Sequence, residues 1–127
     1  MARTNAGRDW QSRIMGDTAS SGVGVYAPCN WIGITADATV PSVASTVLTG
    51  ELTGGSMGRA QSTYAHTNGQ ASFTMTKQFT ADRTVVLAKM GFFTAVTGGT
   101  LAFETMMDST ASLQSGDTIQ LVATISL

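Results

Sequence analysis

An all-β fold, a single antiparallel β-sandwich of jelly-roll type with an extended N-terminal arm, is what the 127-residue sequence predicts. Composition is the first observation behind this: charged residues are only 12%, and threonine, serine, asparagine and glycine fill the polar quota. Threonine suits a pleated strand and glycine a turn. The second is periodicity, since apolar residues recur at every second position in several runs and at every 3.6 positions in none. The third is punctuation by Gly-Gly, Asn-Gly and Pro at the short spacing of a sandwich.

The centre of the chain is residues 84–107, two apolar β-prone runs around Thr97-Gly98-Gly99-Thr100. Gly-Gly between such runs signals a tight hairpin. The first run, Val85 to Phe93, is apolar almost throughout, as a strand covered on both faces is. In the second, Leu101, Phe103 and Thr105 alternate with Ala102, Glu104 and Met106, as in a strand covered mainly on one face.

Ahead of these, residues 1–22 read as an arm and residues 23–127 as the sandwich. The arm places Arg3, Arg8 and Arg13 among isolated apolar points, Trp10, Ile14 and Met15, before the linker-like Thr18-Ala-Ser-Ser-Gly22. It is either a disordered terminus or a docking arm carried by Arg3, Arg8, Trp10, Arg13 and Ile14, since Arg and Trp anchor interfaces. Val23 to Tyr26 is a short apolar segment, and Trp31-Ile-Gly-Ile-Thr35 is the first firm strand. Residues 36–45 form a polar loop, and 46–52 a short strand or a turn of helix. Residues 59–67 alternate as one strand, and Thr67-Asn-Gly-Gln70 predicts a type I′ hairpin. Ala71, Phe73, Met75, Lys77 and Phe79 then share one face. Residues 108–112 read as a loop and Leu113-Gln-Ser-Gly-Asp117 as a turn. The last strand, residues 118–127, turns Ile119, Leu121, Ala123, Ile125 and Leu127 one way. The expected core is Trp31, Phe73, Phe79, Leu87, Phe92, Phe93, Leu101, Phe103, Leu121 and Ile125.

Several function classes find little support. A net charge of −1 without clustered Lys and Arg gives no footprint for nucleic acid or an anionic membrane. One cysteine excludes an internal disulfide, and one histidine leaves a zinc site without a supporting spacing. Cys29 and His66 are the only candidates for a nucleophilic pair, and a small apolar role for Cys29 with a local hydrogen bond for His66 is preferred. Glu51 and Glu104, the only glutamates, show no cleft arrangement, and Glu104 is expected to face outward from Phe103 in a solvated or interface role. Gly54-Gly-Ser-Met-Gly58 leads into a strand and not a helix, so it is not a phosphate cradle. Met1-Ala-Arg-Thr-Asn5 has no apolar core of signal-peptide type, and no apolar run is long enough to span a bilayer. No enzyme, cofactor or metal is expected.

The segments together resemble small structural proteins of tailed bacteriophages. The matching residues are Tyr26-Ala-Pro-Cys-Asn-Trp-Ile-Gly-Ile-Thr35, Arg59-Ala-Gln-Ser-Thr-Tyr-Ala-His-Thr67, Phe73-Thr-Met-Thr-Lys-Gln-Phe-Thr80, Leu87-Ala-Lys-Met-Gly-Phe-Phe-Thr-Ala95, Gly98-Gly-Thr-Leu-Ala-Phe-Glu-Thr105 and Ser115-Gly-Asp-Thr-Ile-Gln-Leu121. The resemblance covers residues 25–127 and leaves out the arm. It implies a virion component made in the host bacterial cytoplasm and carried on the capsid surface. There it would be a decoration protein, a homotrimer bound to the major capsid protein, with no nucleic-acid or membrane partner. A tail-fibre or receptor-binding part is the alternative within the virion. A carbohydrate-binding module is the alternative outside it, with Trp10, Tyr26, Trp31 and Tyr64 as the possible stacking platform.

Overall fold

Residues 2–16 and 28–126 are described in a computed structural model of the chain. In order they form β1 (Ala2–Arg3), α1 (Asn5–Gly16), β2 (Trp31–Thr35), a single 3₁₀ turn (Gly55–Met57), β3 (Ala60–Gln61), β4 (Thr63–His66), β5 (Ser72–Thr80), β6 (Val85–Phe93), β7 (Leu101–Leu113) and β8 (Thr118–Ser126). A five-stranded sheet in the order β1-β7-β6-β2-β3 faces a three-stranded sheet in the order β4-β5-β8, and every pairing is antiparallel. The fold is the all-β sandwich that composition and alternation predict.

Alternation decides the smaller sheet. β5 and β8 pair over all nine residues, from Ser72↔Ser126 to Thr80↔Thr118. Met75, Phe79, Leu121, Ala123 and Ile125 on their inner face are buried. They meet Ile32, Ile34, Leu87, Met90, Phe92 and Phe103 of the larger sheet in one cluster. Phe92 and Phe103 pack edge to face there at 6.5 Å, a favoured aromatic geometry. The turns β5–β6 and β7–β8 lie side by side at one end, since the Ala81 N–H donates to Asp117 O and the Gly116 N–H to Ala81 O, each at 2.7 Å.

The larger sheet is covered on both faces. Leu48, Phe93 and Leu101 form a second cluster on its outer face, with half-buried Trp31 against it. A register shift between Phe92 and Phe93 puts Phe92 opposite Phe103 but Phe93 opposite Leu101. Leu101 and Phe103 therefore serve different faces, where plain alternation puts them on one. All of Leu101 to Glu104 is buried.

Local structure departs from expectation in several places. The strand expected over 59–67 is two: β3 joins the larger sheet and β4 the smaller. The switch occurs at Ser62, whose N–H and hydroxyl both donate to the Asn30 carbonyl at 2.8 Å. The turn closed by the Gln70 N–H on Thr67 O has positive φ only at Gly69, not at Asn68. It is thus a turn that takes glycine at its third position, not type I′. Strands resume only at Phe93 and Leu101 around Gly98-Gly99, so this connection is a longer loop and not a two-residue hairpin. Residues 108–112, expected as a loop, continue β7 to 13 residues. Ala111 and Leu113 there pair with Leu87 and Val85, and serine and threonine tolerate a strand whose partner is already in place. Residues 46–52 form neither strand nor helix beyond one bridge from Glu51 to Thr35.

The N-terminal segment differs most. Where an extended arm is expected, residues 2–16 form β1, paired with β7 at Glu104 and Phe103, and then the 12-residue α1. Thr4 starts the helix. Its hydroxyl accepts the Gly7 N–H at 2.9 Å and its carbonyl the Arg8 N–H at 2.9 Å, the geometry of a threonine N-cap. The same buried hydroxyl donates to Leu101 O, and the Thr4 N–H donates to Ala102 O at 3.1 Å. Residues 17–27, which include the boundary expected at residue 22, lie outside the described residues.

Candidate interaction surface

Residues 36–50 run from the end of β2 across the outer face of the larger sheet. Their anchors follow the strand order. Thr35 Oγ1 donates to Thr49 O at 2.7 Å beside β2, and the Lys89 ammonium of β6 donates to Thr39 O at 3.0 Å. Over β7 the Ser42 N–H reaches Glu104 Oε2 at 3.4 Å, and beyond β1 the Asn5 N–H donates to Val43 O at 2.7 Å.

The central anchor is ionic. Lys89 is 2% exposed, and its ammonium lies 2.7 Å from Glu104 and 3.1 Å from Asp37. Glu104 thus points outward from Phe103, as alternation predicts, but it is buried under this segment and not solvated, because the outer face has its own cover. Burial acts to lower the Lys89 pKa, but the hydrogen bonds it donates to Glu104 and Asp37 outweigh this and hold the ammonium above its ordinary value. The Asp37 carboxyl is held below its ordinary value, first by the Thr39 hydroxyl and then by Lys89.

A second ionic anchor closes the other end. Arg59 forms a fork on Glu51, with Nε to Oε2 at 2.8 Å and Nη2 to Oε1 at 2.7 Å. Its guanidinium stacks 3.4 Å above the Phe93 ring, and Nη1 donates to the carbonyls of Ala95 and Gly98. Gly33 and Gly91 face each other across β2 and β6 beneath this group. A Cβ on Gly33 would strike the Glu51 carboxylate and stand 3.1 Å from the Phe93 ring. The paired glycines thus make the hollow that the ring and carboxylate fill.

Held at both ends, the segment exposes apolar side chains: Val40 is 78% exposed, Val43 45% and Val47 65%. Val40 and Pro41 adjoin Met106, Thr105 and Asp108 of β7, which also line a groove of about 530 Å³ beside β8. An apolar, backbone-anchored protrusion of this kind suits contact with another protein surface.

The expected docking residues are distributed differently. Arg3 lies in β1 and donates to the Gln11 side chain; Arg8 is exposed on the first turns of α1. Both line one hollow with Phe103, Thr124, Ile125 and Ser126. Trp10, Arg13 and Ile14 belong to α1, but their side chains lie outside the described residues. Of the expected core, Phe79, Leu87, Phe92, Phe103, Leu121 and Ile125 are buried between the sheets, and Phe93 and Leu101 under the 36–50 segment. Trp31 and Phe73 are only half-buried, and Phe73 packs against Tyr64 at 5.4 Å. Composition and spacing carry no signal for the roles of Lys89, Arg59 and Asp37, because each depends on a neighbour distant in sequence.

Burial pushes the Cys29 thiol up to about 12, which leaves it protonated and unreactive. His66 is exposed, with Nδ1 3.0 Å from the Ser72 carbonyl. Among the described residues no three His, Cys, Asp or Glu side chains gather as metal ligands, and no helix is long and apolar enough to cross a membrane. Of the expected stacking platform Tyr64 is exposed, Trp31 is half-buried, and the Trp10 side chain and Tyr26 lie outside the described residues. Compared with known proteins, the chain matches no family model and no curated sequence.

Proposed function

We propose that this chain is a structural protein of a bacteriophage virion, a decoration protein that binds the major capsid protein on the head surface and stabilises the shell. The observation that carries the reading is the 36–50 segment, which presents Val40, Val43 and Val47 to solvent on a backbone tied down by Lys89, Glu104 and Ser42. Anchoring reduces the ordering cost of binding, because the segment is already held in one shape before a partner arrives. The resemblance of residues 25–127 to tailed-phage structural proteins supplies the setting. On a shell with many equivalent sites, a modest contact repeated at each is multiplied by the lattice. Very low charge suits dense packing among copies, since few charges need be desolvated.

Purified capsids mixed with the protein test the reading. Wild type should co-sediment with the shells at a fixed ratio and raise their melting temperature. A Val40→Ser, Val43→Ser, Val47→Ser variant should stay folded and lose both effects. Equal binding by that variant, or no binding by the wild type, would overturn the assignment.

A further inference from the structure

Among the described residues, the edge of the smaller sheet at β8 has no protection of its own. β8 pairs with β5 along one side, and among the described residues nothing pairs with its other side. Exposed sheet edges are commonly blunted by charges, proline, bulges or shortness. This edge has none of them: Thr-Ile-Gln-Leu-Val-Ala-Thr-Ile-Ser is nine residues, uncharged, free of proline and in unbroken register with β5. Val122, at its midpoint, is 58% exposed. Along the same edge runs the groove of about 530 Å³ between β8 and β7, where Met106, Met107 and Ile119 are at least partly exposed above buried Leu121.

From this edge we infer that a second copy of the chain docks there, β8 against β8, joining two smaller sheets into one continuous sheet about a two-fold axis. The inference is independent of the virion reading. Self-pairing fits for three reasons. An antiparallel pair centred on Val122 sets Val122 against Val122, Leu121 against Ala123 and Ile119 against Ile125, so inward residues meet inward ones. The partner's inward side chains then enter the groove. The strand also carries no charge that could oppose itself.

Charge at the ends adds a preference for another copy over an arbitrary strand. In this register the residue just before the partner's β8, its Asp117, arrives at the Ser126 end. There Arg3 and Arg8 line a hollow with Thr124, Ile125 and Ser126. Two-fold symmetry makes that acid-to-arginine approach twice. Such a contact is isologous and closes on itself, so it gives a dimer and not a fibre. It also replaces the three-fold association expected from the resemblance.

Sedimentation of the full chain tests this. Wild type should run at twice 13.2 kDa. Val122→Lys sets like charges directly opposite each other at an exposed position, so it should yield a folded monomer, with the dissociation constant raised by about tenfold or more. Arg8→Glu should weaken the dimer without changing circular dichroism. Val122→Cys should cross-link under a mild oxidant into a disulfide-bonded dimer, while Thr110→Cys should not. A monomeric or trimeric wild type, a Val122→Lys dimer as tight as the parent, or no Val122→Cys cross-link would each overturn the inference.

Discussion

Arg59 joins elements that the chain keeps far apart. Its fork on Glu51 ties the end of the 36–50 segment, its stacking covers Phe93, and its remaining donor holds the 94–100 loop by two carbonyls. Lysine offers a point charge without the planar fork, so it reproduces neither the two-point contact with Glu51 nor the stack. Arg59→Ala leaves the partly buried Glu51 carboxylate without its cation and should cost about 1.5–3 kcal/mol of unfolding free energy. Arg59→Lys should recover less than half of that loss. Chemical denaturation of the three proteins checks both figures, and a lysine variant as stable as the parent would show that charge alone matters. Phe93 gains its role from the same group. Its ring is buried not between the sheets but between Arg59, Leu48 and Leu101.

At the scale of elements, α1 is positioned by one close approach. A Cβ on Gly7 would fall on the Ala102 carbonyl and within 2.8 Å of Ala102 Cα. Since these atoms are backbone, no side-chain rotation can make room. Gly7→Ala has the higher intrinsic helix propensity, by about 1 kcal/mol, yet here it should destabilise the protein or lift α1 from β7. Hydrogen exchange of the variant should show the amides at positions 7 and 8 losing protection while β5 and β8 keep theirs. An unchanged exchange profile with higher stability would mean the helix does not sit on Ala102. The same contact explains why α1 escapes a reading of the sequence. Its cap, Thr4, is legible only with a helix already in mind, and Gly7, the residue that lies against Ala102, carries no side chain to signal the contact. The strands were legible where one sheet face is inward along the whole run, as in β5 and β8. Local pattern does not show them where a partner and not local preference decides: residues 108–112 extend because β6 is alongside, and residues 59–67 divide because the Asn30 carbonyl captures Ser62. The anchoring of residues 36–50 is the least legible feature, since an anchored loop and a polar loop share one composition.

Across the whole molecule, the larger sheet has a core on each face, and the cover of the outer one is attached partly by charge. Stability should therefore fall at both extremes of pH, for opposite reasons. Asp37 has its folded pKa depressed, so its contribution is present above its unfolded value, about 3.9, and is lost as pH falls through the lower folded value. Asp82, held down by Arg83, acts in the same direction. Lys89 has its folded pKa raised above 10.5, so its contribution is present below that unfolded value and is lost as pH rises through the higher folded one. Between these limits neither group changes charge, and the contribution of the network should be level. The melting temperature should thus stay flat with respect to these groups from about pH 5 to about pH 9.5 and fall outside that window. Lys89→Met tests the assignment, because methionine fills similar volume without charge. It removes the alkaline limb, and it leaves the buried Glu104 carboxylate beside Ser42 without its cation, so the variant should melt below the parent at neutral pH. A Lys89→Met profile parallel to that of the parent at high pH would show that the ammonium does not hold the segment, and that its backbone contacts alone keep the valines in place.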